Sequence, residues 1–146
     1  MTLDGPRVQV ASGWEIQAHL LFLGANNVGP AFDPDELTAI IGVVPTSQWR
    51  VGDPNQLGAS KRTSGWELDS TAGPTAPLSE HVESLLEALR GYERRFAEAA
   101  SLYRVRLECV IGTDAETASP ELVIPLEQIE SLAALRVSSI GFDISR

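Results

Sequence analysis

The sequence has few of the side chains that form covalent cross-links or metal centres. Its 146 residues include one cysteine and two histidines. Cys109 cannot form an internal disulfide, so we expect a free, buried thiol and a reducing compartment, most simply the cytoplasm. His19, His81 and Cys109 do not have the spacing of metal ligands. The sequence therefore predicts neither a metal nor a cofactor.

Long apolar runs are also missing. The uninterrupted ones are as short as Leu20 to Leu23, whereas a helix that spans a membrane needs about 20 apolar residues. The N-terminus lacks a basic start followed by an apolar block, so it does not resemble a secretory signal. We therefore expect no membrane association.

Basic residues are outnumbered, with 11 of them against 20 acids and a net charge of -9. Such a field repels phosphates and disfavours general binding to nucleic acid. Charge is unevenly distributed, however, because the segment 47–65 contains Arg50, Lys61 and Arg62 against a single acid, Asp53. This segment is the basic island of an acidic protein.

The length fits a single domain, residues 1–146, with residues 1–12 as a loose N-terminal extension and 14–145 as the core. Alternating apolar and polar residues predict strands, and an apolar period of 3.6 residues predicts helices. The predicted strands are 14–23, 48–52, 65–70, 102–111, a short one at 122–124, and 140–144. Between them we expect three helices.

The helix boundaries follow from capping residues. Asp33 is a predicted N-cap with Pro34 at the first helical position, and Gly42 ends that helix after about two turns. Ser79 is the predicted N-cap of a long second helix, in which Gly91 costs about 1 kcal/mol and leaves a kink or an early stop open. Pro125 begins the third helix, which we expect to turn Leu126, Ile129, Leu132 and Leu135 inward.

These elements predict an α+β fold. Their order is β-α-β-β-α-β-(β)-α-β, with the short strand in parentheses. It fits an antiparallel or mixed sheet with helices packed on one face, and a ferredoxin-like core is compatible with it. No internal repeat or domain boundary is evident.

Five segments together resemble a known family. They are FDPDELTAIIGVVPT with the QWRVGD that follows, SGWELDS, LSEHVESLLEAL and the closing SIGFDIS. In order and spacing they resemble the bacterial domain of unknown function 4279 family over about residues 16–145. The resemblance implies a cytoplasmic bacterial α+β domain, and it brings no catalytic residues with it.

Catalytic motifs are not found in the sequence. Phosphate-binding glycine loops are absent, and His19 and His81 lie on a predicted strand and a predicted helix without a nucleophile beside them. Carboxylate pairs such as Asp33 with Asp35, or Asp69 with Asp143, are expected by chance among twenty acids. We therefore assign no catalytic residue, and an enzyme is the less favoured class.

One group of residues remains as a candidate binding site. If the two tryptophan-bearing strands pair, their rings could form a flat aromatic surface beside basic side chains, suited to an anion, a planar group or a protein. In the alternative, both tryptophans pack as core and the basic residues line a solvated loop. The candidates are Trp49, Arg50, Asp53, Lys61, Arg62 and Trp66.

Two functional hypotheses follow. The first is a non-catalytic protein-binding or recognition module, either an immunity-like partner of a basic toxin or a homo-oligomer, and it rests on the negative charge and the missing catalytic motifs. The second is a small-molecule or anion-binding protein, or an enzyme, that uses the Trp49 to Trp66 region.

Overall fold

The structure is a computed structural model that describes residues 13–25, 27–113 and 120–145. The expected loose extension, residues 1–12, lies outside the described residues. The strands are β1 (Trp14–Gly24), β2 (Ser47–Trp49), β3 (Ser64–Asp69), β4 (Val105–Thr113) and β5 (Ser139–Ser145). The helices are α1 (Pro34–Ile41), α2 (Leu78–Ala88), α3 (Glu93–Leu102) and α4 (Leu126–Ala134).

The strands form one mixed sheet in the order β2-β3-β1-β4-β5. Neighbouring strands are antiparallel, except that β4 and β5 are parallel. The first four strands and their helices have the ferredoxin-like β-α-β-β-α-β arrangement. Helix α4 then provides the crossover that a parallel β4–β5 connection requires. The predicted α+β class is confirmed.

The core lies between one face of the sheet and the helices. Alternate residues of β1 point to this side, and Ile16, Leu20 and Phe22 have no exposed surface. Leu37 of α1 and Leu85 of α2 are equally buried against the same cluster. Successive strand residues point to opposite sides of the sheet. We call the side packed against the helices the covered face and the opposite side the open face.

Helix α1 begins and ends as predicted. The Asp33 carboxylate accepts a hydrogen bond from the Asp35 N–H at 2.9 Å. At the other end Gly42 takes the left-handed conformation, with φ of 85°, and donates its N–H to the Thr38 carbonyl at 2.8 Å. Both ends are set by short-range contacts, which explains why the local sequence was sufficient to predict them.

The long second helix of the prediction is wrong, because the chain forms two helices there. Gly91 has a φ of 87°, a left-handed conformation that ends α2 and turns the chain into α3. The N-cap of α2 is Pro77 rather than the predicted Ser79. Of the two outcomes that Gly91 left open, the early stop is the one observed.

The predicted strand at 122–124 is also wrong, because residues 120–125 form neither helix nor strand. Helix α4 then faces the core with only part of its apolar stripe. Leu132 and Leu135 are buried, whereas Leu126 and Ile129 are exposed. Gln128 turns toward α2 instead and donates from Nε2 to the Ser79 carbonyl at 2.8 Å.

Candidate functional site

The two tryptophans of the predicted site lie on opposite faces of the sheet. In the β2–β3 pair, Gln48 is opposite Trp66 and Trp49 is opposite Gly65. Trp66 points into the core with no exposed surface, and its Nε1 donates to Thr38 Oγ1 at 3.0 Å. The expected flat aromatic surface is therefore not formed, since only Trp49 reaches the open face.

Trp49 packs over Gly65, which has no side chain to displace the ring. Lys61 also contacts the Trp49 ring, with its Nζ 4.6 Å from the ring centroid. This distance is typical of a cation–π contact. The structure therefore brings Trp49 and Lys61 together, as a half-buried aromatic ring capped by a cation.

The Arg50 guanidinium forms ion pairs with two carboxylates at the start of α1. It contacts Asp33 at 2.8 Å and Asp35 at 2.6 Å. Hydrogen bonds from Gln48 and Arg50 lower the pKa of Asp35. In turn, the carboxylates of Asp35 and Asp33 raise the pKa of Arg50. Asp53 accepts a hydrogen bond from the Arg50 backbone N–H at 2.7 Å. Arg50 and Asp53 thus connect the loop after β2 to the start of α1.

The loop that carries the remaining candidates is a hairpin extension of β2 and β3. The Gly52 N–H donates to the Lys61 carbonyl at 2.9 Å, and the Lys61 N–H donates to the Asp53 carbonyl at 2.6 Å. Arg62 is exposed beside Lys61. A binding role for these residues stays a prediction.

A second group of polar residues, which the sequence analysis did not assemble, lies on the open face. His19 of β1 is directly opposite Asp69 of β3, and Glu67 precedes Asp69 by two residues on the same side. One possible ligand atom from each of the three lies within 4.8 Å of the others. We call His19, Glu67 and Asp69 the open-face cluster.

The electrostatics of the open-face cluster are unusual for a surface. Partial burial, a hydrogen bond with Asp69 and repulsion from the Asp69 carboxylate raise the pKa of Glu67 to about 7. Asp69 Oδ1 is buried without a hydrogen-bond partner among the described residues, and it lies 3.6 Å from His19 Nδ1. The cluster therefore holds two crowded carboxyl groups beside an imidazole.

A cleft of about 350 Å³ opens beside this cluster, where the end of β3 lies next to the first half of β1. His19, Asp69, Ser70 and His81 contribute to its walls. His81 is buried, its Nδ1 lies 2.8 Å from Ser70 Oγ, and burial lowers its pKa. Ser70 Oγ also accepts the Ala72 N–H at 3.0 Å, so Ser70 and His81 fix the turn that forms the cleft wall.

The family profile described as domain of unknown function (DUF4279) matches residues 15–145. This chain belongs to the DUF4279 family. No curated protein and no solved structure matches it significantly. None of the DUF4279 helices within the described ranges is long and apolar enough to cross a bilayer. Bacterial origin and cytoplasmic location stay predictions.

The DUF4279 domain also carries an apolar surface around β5 that the other described residues leave partly exposed. Ile140, Phe142 and Ile144 lie on the covered face, in register with Leu107, Cys109 and Ile111 of β4. They nevertheless remain 38%, 47% and 58% exposed. A groove of about 270 Å³ separates β5 from Ile129 and Leu132 of α4. The β5–α4 surface consists of Leu126, Ile129, Ile140, Phe142 and Ile144.

The alternating patterns in the sequence contain the residues of both the open-face cluster and the β5–α4 surface, but they do not show how these residues are arranged. The polar residues of β1 and of the GWELD segment include the members of the open-face cluster, but only the β1–β3 register brings them together.

Cys109 is buried as expected, and burial raises the pKa of its thiol to about 11. Such a thiol is protonated at neutral pH and is a poor nucleophile.

Proposed function

We propose that this DUF4279 domain is a protein-binding module that uses the β5–α4 surface. The observation that supports the proposal is the row of three apolar side chains on β5. Each belongs to the same layer as buried residues of β4, yet each retains more than a third of its surface in solvent. Contiguous apolar patches of this kind mark interaction sites on soluble domains.

The backbone of β5 supports the same proposal. It is the outer strand of the sheet beside β4, and its seven residues, SIGFDIS, contain neither lysine nor proline. Proteins usually protect a long edge strand with such residues or with a bulge, since its free N–H and C=O groups can pair with another chain. No described strand pairs with the outer side of β5, and an apolar edge of this kind is suited to the addition of a partner strand.

The partner that fits this edge is a second copy of the chain. An antiparallel pairing of two β5 strands about a two-fold axis at Phe142 sets each Ile140 against the partner copy's Ile144, and each Asp143 against the partner copy's Gly141. The strand is thus self-complementary, as an isologous interface requires. No like charges are directly opposed in this register, and the apolar pairs lie on one side.

Net charge makes this pairing distinguishable from binding to a basic protein. Two copies that each carry a charge of -9 repel at long range, so added salt strengthens their association by screening. A complex with a basic toxin, the immunity-like role, has complementary charges and weakens as salt rises. The immunity-like role is supported only by the net charge.

Sedimentation velocity over a concentration series tests the proposal. We expect a reversible monomer–dimer equilibrium that shifts toward dimer at higher salt. Ile144→Lys places an unpaired charge in the interface and weakens association by at least about tenfold. Val44→Lys is the matched control, because Val44 is 79% exposed and lies outside the β5–α4 surface. A chain that stays monomeric at every concentration contradicts the proposal.

The alternative of a small-molecule or anion-binding protein, or an enzyme, rests on Lys61 and Trp49. Lys61 lies over the Trp49 ring, where an anion or a planar group could be held. Arg50 contributes less to such a site, since Asp33 and Asp35 already occupy its guanidinium. Titration of tryptophan fluorescence with anionic ligands, in wild type and Lys61→Ala, tests this alternative.

A further inference from the structure

We infer that His19, Glu67 and Asp69 form a binding site for a first-row divalent cation such as Zn²⁺ or Mn²⁺ on the open face. One imidazole nitrogen and two carboxylate oxygens are a ligand set that these cations accept. The site is independent of the β5–α4 surface, which lies at the far edge of the sheet.

The strand register preorganises the three ligands. His19 and Asp69 are directly opposite on antiparallel strands, and Glu67 is their diagonal neighbour. Side chains at opposite and diagonal positions of a sheet are within reach of one another. A rigid sheet thus holds all three, and none of them depends on the conformation of a loop.

The distances are close to those of a metal site. Ligand atoms about 2.1 Å from a tetrahedral ion lie about 3.4 Å from one another. His19 Nδ1 and Asp69 Oδ1 are 3.6 Å apart, and the full set lies within 4.8 Å. The third ligand therefore needs a movement of at most about 1.4 Å, which a side-chain rotation of Glu67 can supply.

The carboxylate of Asp69 has an oxygen without a hydrogen-bond partner among the described residues, which a bound cation would provide for. Asp69 has a hydrogen bond with Glu67 and its side chain is 37% exposed, but its Oδ1 atom is buried and accepts no hydrogen bond from the described residues. Its separation from His19 Nδ1 is too long for a good hydrogen bond, and a buried oxygen without a partner is costly. A cation between the two atoms would satisfy both.

The surroundings leave Glu67 and Asp69 available as ligands. Glu108, which is also opposite His19, is already held by Arg106 at 2.7 Å between Arg106 Nε and Glu108 Oε1.

The cleft beside the cluster gives the cation access to solvent. Its walls include His19 and Asp69, and it is large enough for water or a small oxyanion to complete the coordination. Three protein ligands with an open position are typical of an exchangeable zinc site rather than a closed structural one.

Isothermal titration of the chelator-treated full chain with ZnCl₂, repeated with MnCl₂ and MgCl₂, tests the inference. We expect one site per chain for Zn²⁺ or Mn²⁺ and weaker binding of Mg²⁺, because Mg²⁺ prefers oxygen ligands. His19→Asn and Asp69→Asn should each reduce the affinity by at least about tenfold. The matched control is Asp143→Asn, an exposed open-face carboxylate on β5 that should leave the affinity unchanged.

Thermal unfolding provides a second readout, because a cation that binds only the folded chain raises the Tm. Zn²⁺ should raise the Tm of wild type and Asp143→Asn but not that of His19→Asn. The inference fails if wild type binds neither Zn²⁺ nor Mn²⁺. It fails equally if folded His19→Asn and Asp69→Asn bind as tightly as wild type, or if His81→Asn alone abolishes binding.

Discussion

The two faces of the sheet are built from alternate residues of the same strands, yet they differ in physical character. On the covered face of β1, Leu20 and Phe22 have no exposed surface and pack among apolar side chains. On the open face, His19 lies half-buried between Asp69 and Glu108. The covered face stabilises the fold by burying apolar side chains. The open face carries ionisable groups, which would be costly to bury beneath a packed helix.

The β5 edge is an exception, because its covered-face side chains are exposed rather than buried. Ile144 belongs to the covered face, but it is 58% exposed, and none of the helices in the described ranges covers it. Burial in this domain therefore depends on helix coverage as well as on the direction of the side chain.

The tryptophan pair gives the largest expected difference between the faces. Trp66→Ala removes a fully buried ring that contacts Phe22 and Phe96, and should cost about 3–5 kcal/mol in the free energy of unfolding. Trp49→Ala removes a half-buried ring and should cost about 1 kcal/mol. Urea denaturation of both variants measures the difference. Equal costs would mean that the two faces are energetically alike.

Two isoleucines in one row test the effect of coverage alone. Ile111 of β4 and Ile144 of β5 are register partners on the covered face, with 1% and 58% exposure. Ile111→Ala should destabilise the monomer by about 2–4 kcal/mol and Ile144→Ala by less than about 1 kcal/mol. Denaturation in dilute solution keeps the proposed pairing of β5 out of the measurement. A large cost for Ile144→Ala would show that β5 is already covered in the monomer.

A glycine on the open face tests whether that face is packed at all. Alanine normally stabilises a strand relative to glycine, but a Cβ at Gly65 meets the ring of Trp49. Gly65→Ala should therefore cost about 1–2 kcal/mol. In a Trp49→Ala background most of that cost should disappear, and a double-mutant cycle measures the coupling. Additive costs would show that the ring does not rest on Gly65.

The covered face and the element order were predictable from the sequence because short-range signals determine them. The alternation in β1 and β4 shows which residues face inward, and Asp33 with Gly42 marks both ends of α1. Gly91 was harder, since the apolar stripe continues on both sides of it. The helix that follows it, α3, contacts α1 through Arg95, which donates to the carbonyls of Ala39 and Ile40, and such contacts join residues distant in sequence.

The open-face cluster was not predictable in the same way. His19 and Asp69 are separated by fifty residues, and only the register of β1 against β3 places them opposite each other. A shift of one residue would turn Asp69 to the other face. Without that register, Asp69 could be paired equally well with Asp143. The exposure of β5 was missed for a related reason, since alternation gives the direction of a side chain and not what covers it.

The smallest effect concerns the pH dependence of stability. Glu67 keeps its proton up to about pH 7 in the folded chain, whereas its ordinary pKa is 4.5. Between these values the folded state binds more protons than the unfolded state, so stability falls as pH rises. Because Glu67 is half in solvent, we expect a loss of at most about 1 kcal/mol.

Glu67→Gln removes this titration and should flatten the dependence of the urea midpoint on pH between about pH 5 and about pH 7.5. Glu15→Gln, at an exposed position of the open face of β1, is the control and should retain the wild-type slope. The measurement is made with chelator present, because a bound cation would hold Glu67 in its ionised form. If the urea midpoints of wild type and Glu67→Gln depend on pH with the same slope, the repulsion between Glu67 and Asp69 does not affect the stability of the fold.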